Sequence, residues 1–124
     1  DLMLTNLKIP FVNENSTIKN GLKIINSKKL GVCVVIDKKK QTTGIFTDGD
    51  IKRAIQKKID INKNKIKSFM TKSPICVEKD TLAAKALAIM NEKKITSLCV
   101  FNKGNKKRTI GILHIHNILE SNIS

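Results

Sequence analysis

The sequence has no tryptophan and no tyrosine, only four phenylalanines, and ten acidic residues against 24 basic ones. The scarcity of aromatics leaves few exposed platforms on which nucleic-acid bases could stack. That matters because a net charge of +14 would otherwise suggest a nucleic-acid partner, lysine and arginine neutralising phosphates and releasing counterions. Arginine, the better reader of base edges, occurs only at Arg53 and Arg108. The charge is nearly all lysine, mixed with asparagine and isoleucine as compositional drift would mix them. A basic nucleic-acid-binding domain therefore stands only as an alternative, resting on the charge alone.

Cysteine is also sparse. Cys33, Cys76 and Cys99 sit in the apolar runs GVCVVI, PICV and SLCVF. The number is odd and no CxxC occurs, which argues against a disulfide framework or a zinc knuckle. Buried, reduced thiols in a cytoplasmic protein are the expectation. No apolar run approaches the roughly 18 residues of a membrane span, and nothing at the start resembles a secretory signal. The chain opens on Asp1-Leu2-Met3 without a start-like leader, which reads as a piece of something longer. With 124 residues, 40% apolar and 27% charged, it has the size and balance of one ordinary domain, or of two small halves sharing a core.

Two halves are written in the sequence. IPFVNENSTIKNGLKIINSKKLGVCVVID lies against SPICVEKDTLAAKALAIMNEKKITSLCVFN, and GIFTDGDIKRAI against GILHIHNILESN. Pro10 falls opposite Pro74, Thr17 opposite Thr81, Asn26 opposite Asn91, and Gly44 opposite Gly111. In each half, Thr17 or Thr81 stands where a helix N-cap should. Behind them, Ile18, Leu22, Ile25 and Leu82, Ala86, Ile89 recur on one apolar helical face. The β-branched runs Val32–Ile36 and Leu98–Phe101 read as strands buried on both faces. Basic turns follow (Lys38 to Lys40, and Lys103 to Arg108), better explained as solvated hairpins than as binding arms. A second strand then begins at Gly44 or Ile110, and a closing helix completes each unit. The predicted class is α+β, two β-α-β-β-α repeats at residues 1–58 and 68–124, joined by a polar linker at 59–67. One such unit would bury too little to stand alone. Two packed about a pseudo-twofold axis would share a core and create clefts able to enclose a ligand.

The stretch Thr47-Asp48-Gly49-Asp50 admits three readings. As a capping box, Thr47 and Asp50 satisfy the first helical N–H groups, and Asp48 and Asp50 suit the helix dipole. As a ligand site, the helix N-terminus seats a phosphate, with the Thr47 hydroxyl as a donor. Gly49 then lets the ligand approach the backbone, and Asp50 accepts from the two hydroxyls of a ribose. As a metal clamp, Asp48 and Asp50 would need further oxygen ligands, and no acidic residues cluster nearby. His114-x-His116 likewise falls short of a zinc ligand set, although a histidine could make phosphate affinity pH-dependent. No metal is expected at either place. The repeat supplies a comparison: GILHIHNILES keeps the glycine, the apolar pair and the helix without TxxD. The unit can therefore fold without that pair, which favours a ligand role for Thr47 and Asp50 alongside the cap.

The repeated unit ending in G-h-h-[ST]-x-x-D resembles the CBS domain, which occurs in pairs (the Bateman module) that regulate by binding adenosyl compounds and nucleotides. The likeness covers nearly the whole chain. DLM-x-T-x-x-x-IP, GIFTDGDIKR, MTKSPICV, KKITSLCVF and GILHIHNILES are moreover similar to the C-terminal CBS pair of arabinose 5-phosphate isomerases. Those enzymes interconvert ribulose 5-phosphate and arabinose 5-phosphate for the Kdo sugar of lipopolysaccharide. The resemblance implies no catalytic residue and no required cofactor in this chain, and a cytoplasmic homodimer within a higher homo-oligomeric parent enzyme. The implied ligand is an adenine nucleotide or a nucleotide sugar, CMP-Kdo being the activated end product. A stand-alone CBS sensor of adenine nucleotides is the alternative. Carried over by position, Thr47, Asp48, Gly49 and Asp50 form the first ligand site, and His114, His116 and Asn117 the second. Asn117 opposite Asp50 lacks the charged acceptor pair for a ribose diol, so the second site looks modified.

Overall fold

The computed structural model describes residues 9–28 and 31–115. The first unit runs β1 (Phe11–Asn13), α1 (Ile18–Lys28), β2 (Val32–Ile36), β3 (Thr42–Thr47) and α2 (Asp48–Gln56), followed by a short β4 (Thr71–Lys72). The second runs β5 (Cys76–Glu78), α3 (Ala83–Lys93), β6 (Ser97–Phe101) and β7 (Thr109–His114). The α+β class and the strand-helix-strand-strand order are those expected; the closing helix of the second half lies outside the described residues. Among the described residues there are two sheets, ordered β1-β2-β3-β4 and β5-β6-β7. In each, the first two strands are parallel and the next pair antiparallel.

The central strands β2 and β6 are the β-branched runs, and each is buried through at least three consecutive residues, as a strand covered on both faces must be. Both hairpins carry a register irregularity at the same place, between Val35 and Ile36 and between Val100 and Phe101. In the first hairpin the Asp37 carboxylate accepts from the Lys39 and Gln41 N–H groups at 2.8 and 2.9 Å. Lys40 takes a left-handed φ of 63°. An aspartate bonding the backbone ahead of it is what stabilises such a turn.

The strand register corrects the alignment of the two halves. The Val34 N–H donates to the Pro10 carbonyl at 2.8 Å, and the Cys99 N–H to the Ile75 carbonyl at 3.2 Å. Pro10 is thus the counterpart of Ile75, not Pro74. The same shift makes Leu82, not Thr81, the counterpart of Thr17. Thr17 caps α1 as expected, its Oγ1 accepting from the Asn20 N–H at 3.2 Å. In the second unit the residue at the cap is Leu82, with no side-chain cap bond. Leu82 is 76% exposed, and the buried face of α3 is Ala86 and Met90. Of the expected face Leu82, Ala86, Ile89, Ala86 is buried and Ile89 packs against the core, while Leu82 is replaced at the start of the helix by the half-buried Ala83. In the corrected register the equivalent pairs are Ile18 and Ala83, Gly21 and Ala86, Ile25 and Met90. Gly21 is glycine for space: a Cβ there would come within 2.7 Å of Ile66 Cδ1 and 3.1 Å of the Phe46 ring.

Residues 59–67, expected as a polar linker, are tied into the first unit instead. Pro10–Pro74 forms one compact unit. The carbonyls of Asn64 and Ile61 accept from the Ile18 and Lys19 N–H groups, both at 3.0 Å, satisfying orphan donors of the first turn of α1. The Ile66 N–H donates to Ser16 at 2.8 Å, and the Lys67 N–H to Glu14 at 3.0 Å. Ile66 is fully buried in the core with Val12, Ile18, Ile25, Cys33, Val35, Phe46 and Ala54. β4 extends the sheet by pairing with β3, Gly44 opposite Lys72. The second unit has its own core of Val77, Ala86, Met90, Leu98, Val100 and Leu113. Ile66→Ala should cost about 2–5 kcal/mol in denaturant unfolding, as for a buried isoleucine. A solvated linker position would stay within about 0.5 kcal/mol.

Candidate functional site

β3 ends at Thr47 and α2 starts at Asp48, so the strand delivers a threonine to the mouth of a helix. Thr47 is extended (φ −121°, ψ 169°) and closes a full capping box with Asp50. The Asp50 N–H donates to Thr47 Oγ1 at 3.3 Å, and the Thr47 N–H donates to Asp50 Oδ2 at 2.9 Å. The threonine hydroxyl also donates to Asp50 Oδ2 at 3.1 Å. From 21 residues away, the Thr71 hydroxyl donates to Oδ1 at 3.0 Å and reaches Oδ2 at 3.3 Å. The Arg53 guanidinium binds Oδ1. No side-chain oxygen or nitrogen buried among the described residues lacks a partner.

Asp50 is therefore a fully buried carboxylate, 0% exposed, whose two oxygens bond groups from β3, α2 and β4. Burial of an ionised carboxylate is tolerated only with this much pairing. The Arg53 side chain is 54% exposed, so its ion pair with Asp50 reaches into solvent, where such a pair contributes little; Thr71 is exposed as well. Cys33 lies close enough to feel the carboxylate. Its thiol is pushed up to about 12, first by burial and then by the Asp50 charge, and is held neutral.

The neighbours of Asp50 differ in character. Asp48 and Gly49 are exposed, and the Asp48 N–H donates to the Gly31 carbonyl at 3.1 Å. A Cβ on Gly49 would meet nothing nearer than Thr47 Oγ1 at 3.6 Å, so packing does not require glycine there. Asp48 is exposed, its Oδ2 lying over Gly31, while Asp50 is enclosed, so the two carboxylates do not converge as a clamp would. No group of three or more His, Cys, Asp or Glu among the described residues could hold a metal.

In the second unit, His114 ends β7 opposite Ser97, as Thr47 ends β3 opposite Val32. The Ile115 N–H donates to the Thr96 carbonyl at 2.8 Å, the counterpart of the Asp48 bond to Gly31. The two junctions are built alike, with His114 half-buried in place of Thr47. His116 and Asn117 lie outside the described residues. Sequence reading gave the Thr47–Asp50 capping box and missed two of Asp50's partners. Arg53 was legible as an i, i+3 ion pair; Thr71 carried no local signal.

The family model described as CBS domain matches residues 1–57 and 66–123. Arabinose 5-phosphate isomerase KdsD of Yersinia pestis is 35% identical over 123 residues, 99% of this chain and 37% of the isomerase. The Escherichia coli K12 protein of the same name is 32% identical with the same coverage. The chain thus spans little more than a third of these relatives' length. Among solved structures, CBSX2 in complex with AMP superposes with a TM-score of 0.81 at 26% identity, covering 99% of this chain and 93% of that one. An uncharacterised conserved protein of Pyrococcus horikoshii gives 0.86 at 21% identity, covering 99% and 89%, a likeness of fold.

Asp50→Ala should destabilise by about 1.5–3 kcal/mol, the range for losing hydrogen bonds to a charged group. Arg53→Ala should stay under about 1 kcal/mol, as for an ion pair with an exposed partner. Paired urea titrations read both, and equal costs would contradict the picture of Asp50 as an internally anchored carboxylate.

Proposed function

The chain belongs to the CBS-domain family, and from that premise we propose that it is a regulatory binding module for a nucleotide, with its first site at the N-terminus of α2. The observation that carries this reading is the character of Asp48-Gly49 between Thr47 and Asp50. It is an exposed first helical turn whose glycine is not demanded by packing. Backbone N–H groups there and the Thr47 hydroxyl suit a phosphate. Asp50 supplies the ribose acceptor once the exposed Arg53 guanidinium gives way to the diol. His114, His116 and Asn117 form a modified second site.

CBSX2 was solved with AMP, which supports an adenine nucleotide as ligand. The likeness to arabinose 5-phosphate isomerases supports a parent enzyme interconverting ribulose 5-phosphate and arabinose 5-phosphate, with CMP-Kdo as a second candidate effector. In this reading the chain is the non-catalytic, cytoplasmic part of that enzyme, with repeats 1–58 and 68–124 as its sequence units. It pairs as a homodimer through its CBS repeats within a larger homo-oligomer. Among the described residues no helix is long and apolar enough to cross a membrane.

Thermal unfolding with AMP, ATP and CMP-Kdo tests the site. A ligand at one hundred times its Kd should stabilise the native state by about 2.7 kcal/mol. Gly49→Ala should fold at least as well as the parent, alanine being the better helix former by roughly 1 kcal/mol, yet lose most of the ligand shift. A shift unchanged in Gly49→Ala would move the site elsewhere; no shift with any of the three nucleotides would end the nucleotide reading.

A further inference from the structure

The second sheet holds two thiols side by side. Cys76 on the edge strand β5 is the direct register partner of Cys99 on the central strand β6, and partners across a parallel pair project from the same face. Adjacent strands lie about 4.7–4.9 Å apart, inside the Cα separation of roughly 4.4–6.8 Å that a disulfide spans. The two residues differ in access: Cys76 is half-buried, whereas Cys99 is 4% exposed. The Cys99 thiol hydrogen-bonds Cys76, and Lys106, exposed in the β6–β7 turn, adds positive charge. The buried Thr109 hydrogen-bonds Cys99 from β7. The nearer-to-solvent sulfur is thus stabilised as a thiolate and the inner one kept protonated. Cys76 is lowered to about 7, chiefly by the Cys99 hydrogen bond and then by Lys106, against the opposing effect of burial. Cys99 is raised well above the usual thiol range by its hydrogen bond to Cys76 and by burial.

We propose that Cys76 and Cys99 form a peroxide-responsive dithiol, Cys76 being the attacking sulfur and Cys99 the resolving one. The oxidant class is a hydroperoxide. The Cys76 thiolate attacks the outer oxygen, an S–O bond forms as the O–O bond breaks, and the leaving alkoxide or hydroxide takes up a proton. Cys76 is then a sulfenic acid, oxidised by two electrons. Cys99 attacks that sulfur, the S–S bond forms as the S–O bond breaks, and the departing hydroxide leaves as water with the Cys99 proton. The sum is two thiols and one hydroperoxide giving one disulfide, one alcohol or water, and one further water. Direct register neighbours hold their Cβ atoms farther apart than the ~3.8 Å a relaxed bridge prefers, so the bond is strained and reduced readily by small thiols. Cys33, buried in the other core and held as a neutral thiol, is the internal control.

The experiment treats the full chain with equimolar hydrogen peroxide and maps its peptides without reduction. The expected product is an intramolecular Cys76–Cys99 bridge, reversed by glutathione, with Cys33 still alkylatable after unfolding. In Cys99→Ser the sulfenic acid on Cys76 should persist and be captured by dimedone. Lys106→Ala, a change at an exposed turn, should slow the oxidation several-fold. On the unmutated chain, iodoacetamide should label Cys76 with a rate half-maximal near pH 7, where an ordinary thiol would give about 8.5. Equal oxidation of Cys33 and Cys76, or a bridge found only between chains, would overturn the proposal.

Discussion

One buried carboxylate organises the first unit. Asp50 lies inside the protein at the start of α2, and a charge there is tolerable only because β3, α2 and β4 each lend it a donor. The requirement runs outward. Thr47 must be extended for its N–H and hydroxyl to reach the carboxylate, which sets the angle at which strand becomes helix. Thr71 must lie on a strand beside β3, which draws the chain after α2 back across the unit instead of releasing it. That return path places Ile66 in the core and brings the carbonyls of Ile61 and Asn64 to the first turn of α1. Cap, edge strand and core closure are coupled through one side chain.

The same coupling bears on function. A group that serves as an internal tie cannot also accept from a ligand with the same lone pairs, so under the proposed nucleotide reading binding at Asp50 would be an exchange of partners. On that reading Arg53 would be the partner that gives way, because its ion pair reaches into water, where losing it costs little. The Thr47 and Thr71 hydrogen bonds hold the carboxylate in its orientation. A regulatory site of the proposed kind would convert ligand binding into a change in how a helix is fastened to a sheet. The second junction, with His114 where Thr47 would be, preserves the backbone bond at the strand end.

Much of this was legible in the residues themselves, and the failures have specific causes. VCVVI and SLCVF announced central strands because continuous β-branched runs suit burial on both faces. The capping box at Thr47 and Asp50 is a local pattern, and local patterns survive without tertiary information. The one misplaced residue of the α3 face, Leu82, came from aligning Pro74 with Pro10 instead of Ile75. Gly21 and Ala86 are small core residues, Gly21 kept so by Ile66 and Phe46 packed on it, and Leu82 is apolar yet exposed. Ile66 was lost in a lysine-rich stretch because one buried residue pinned by backbone bonds leaves no periodicity. The Asp50–Thr71 contact joins distant parts of the chain, and nothing in either neighbourhood specifies the other.

The two hairpins differ in length, and the difference falls wholly at one end of each sheet. Between the repeated irregularity in the central strand and the helix junction, both units keep the same register, while the turns Asp37–Gln41 and Asn102–Arg108 are unequal. At Gly104 the longer turn stands in open space, with nothing within 4 Å of where a Cβ would be. Each antiparallel pair therefore works as a ruler with one calibrated end. Residues can be added or removed at the turn without altering the geometry at Thr47 or His114, so this end of the fold can accept new sequence, a reporter peptide included, independently of the chemistry at the other.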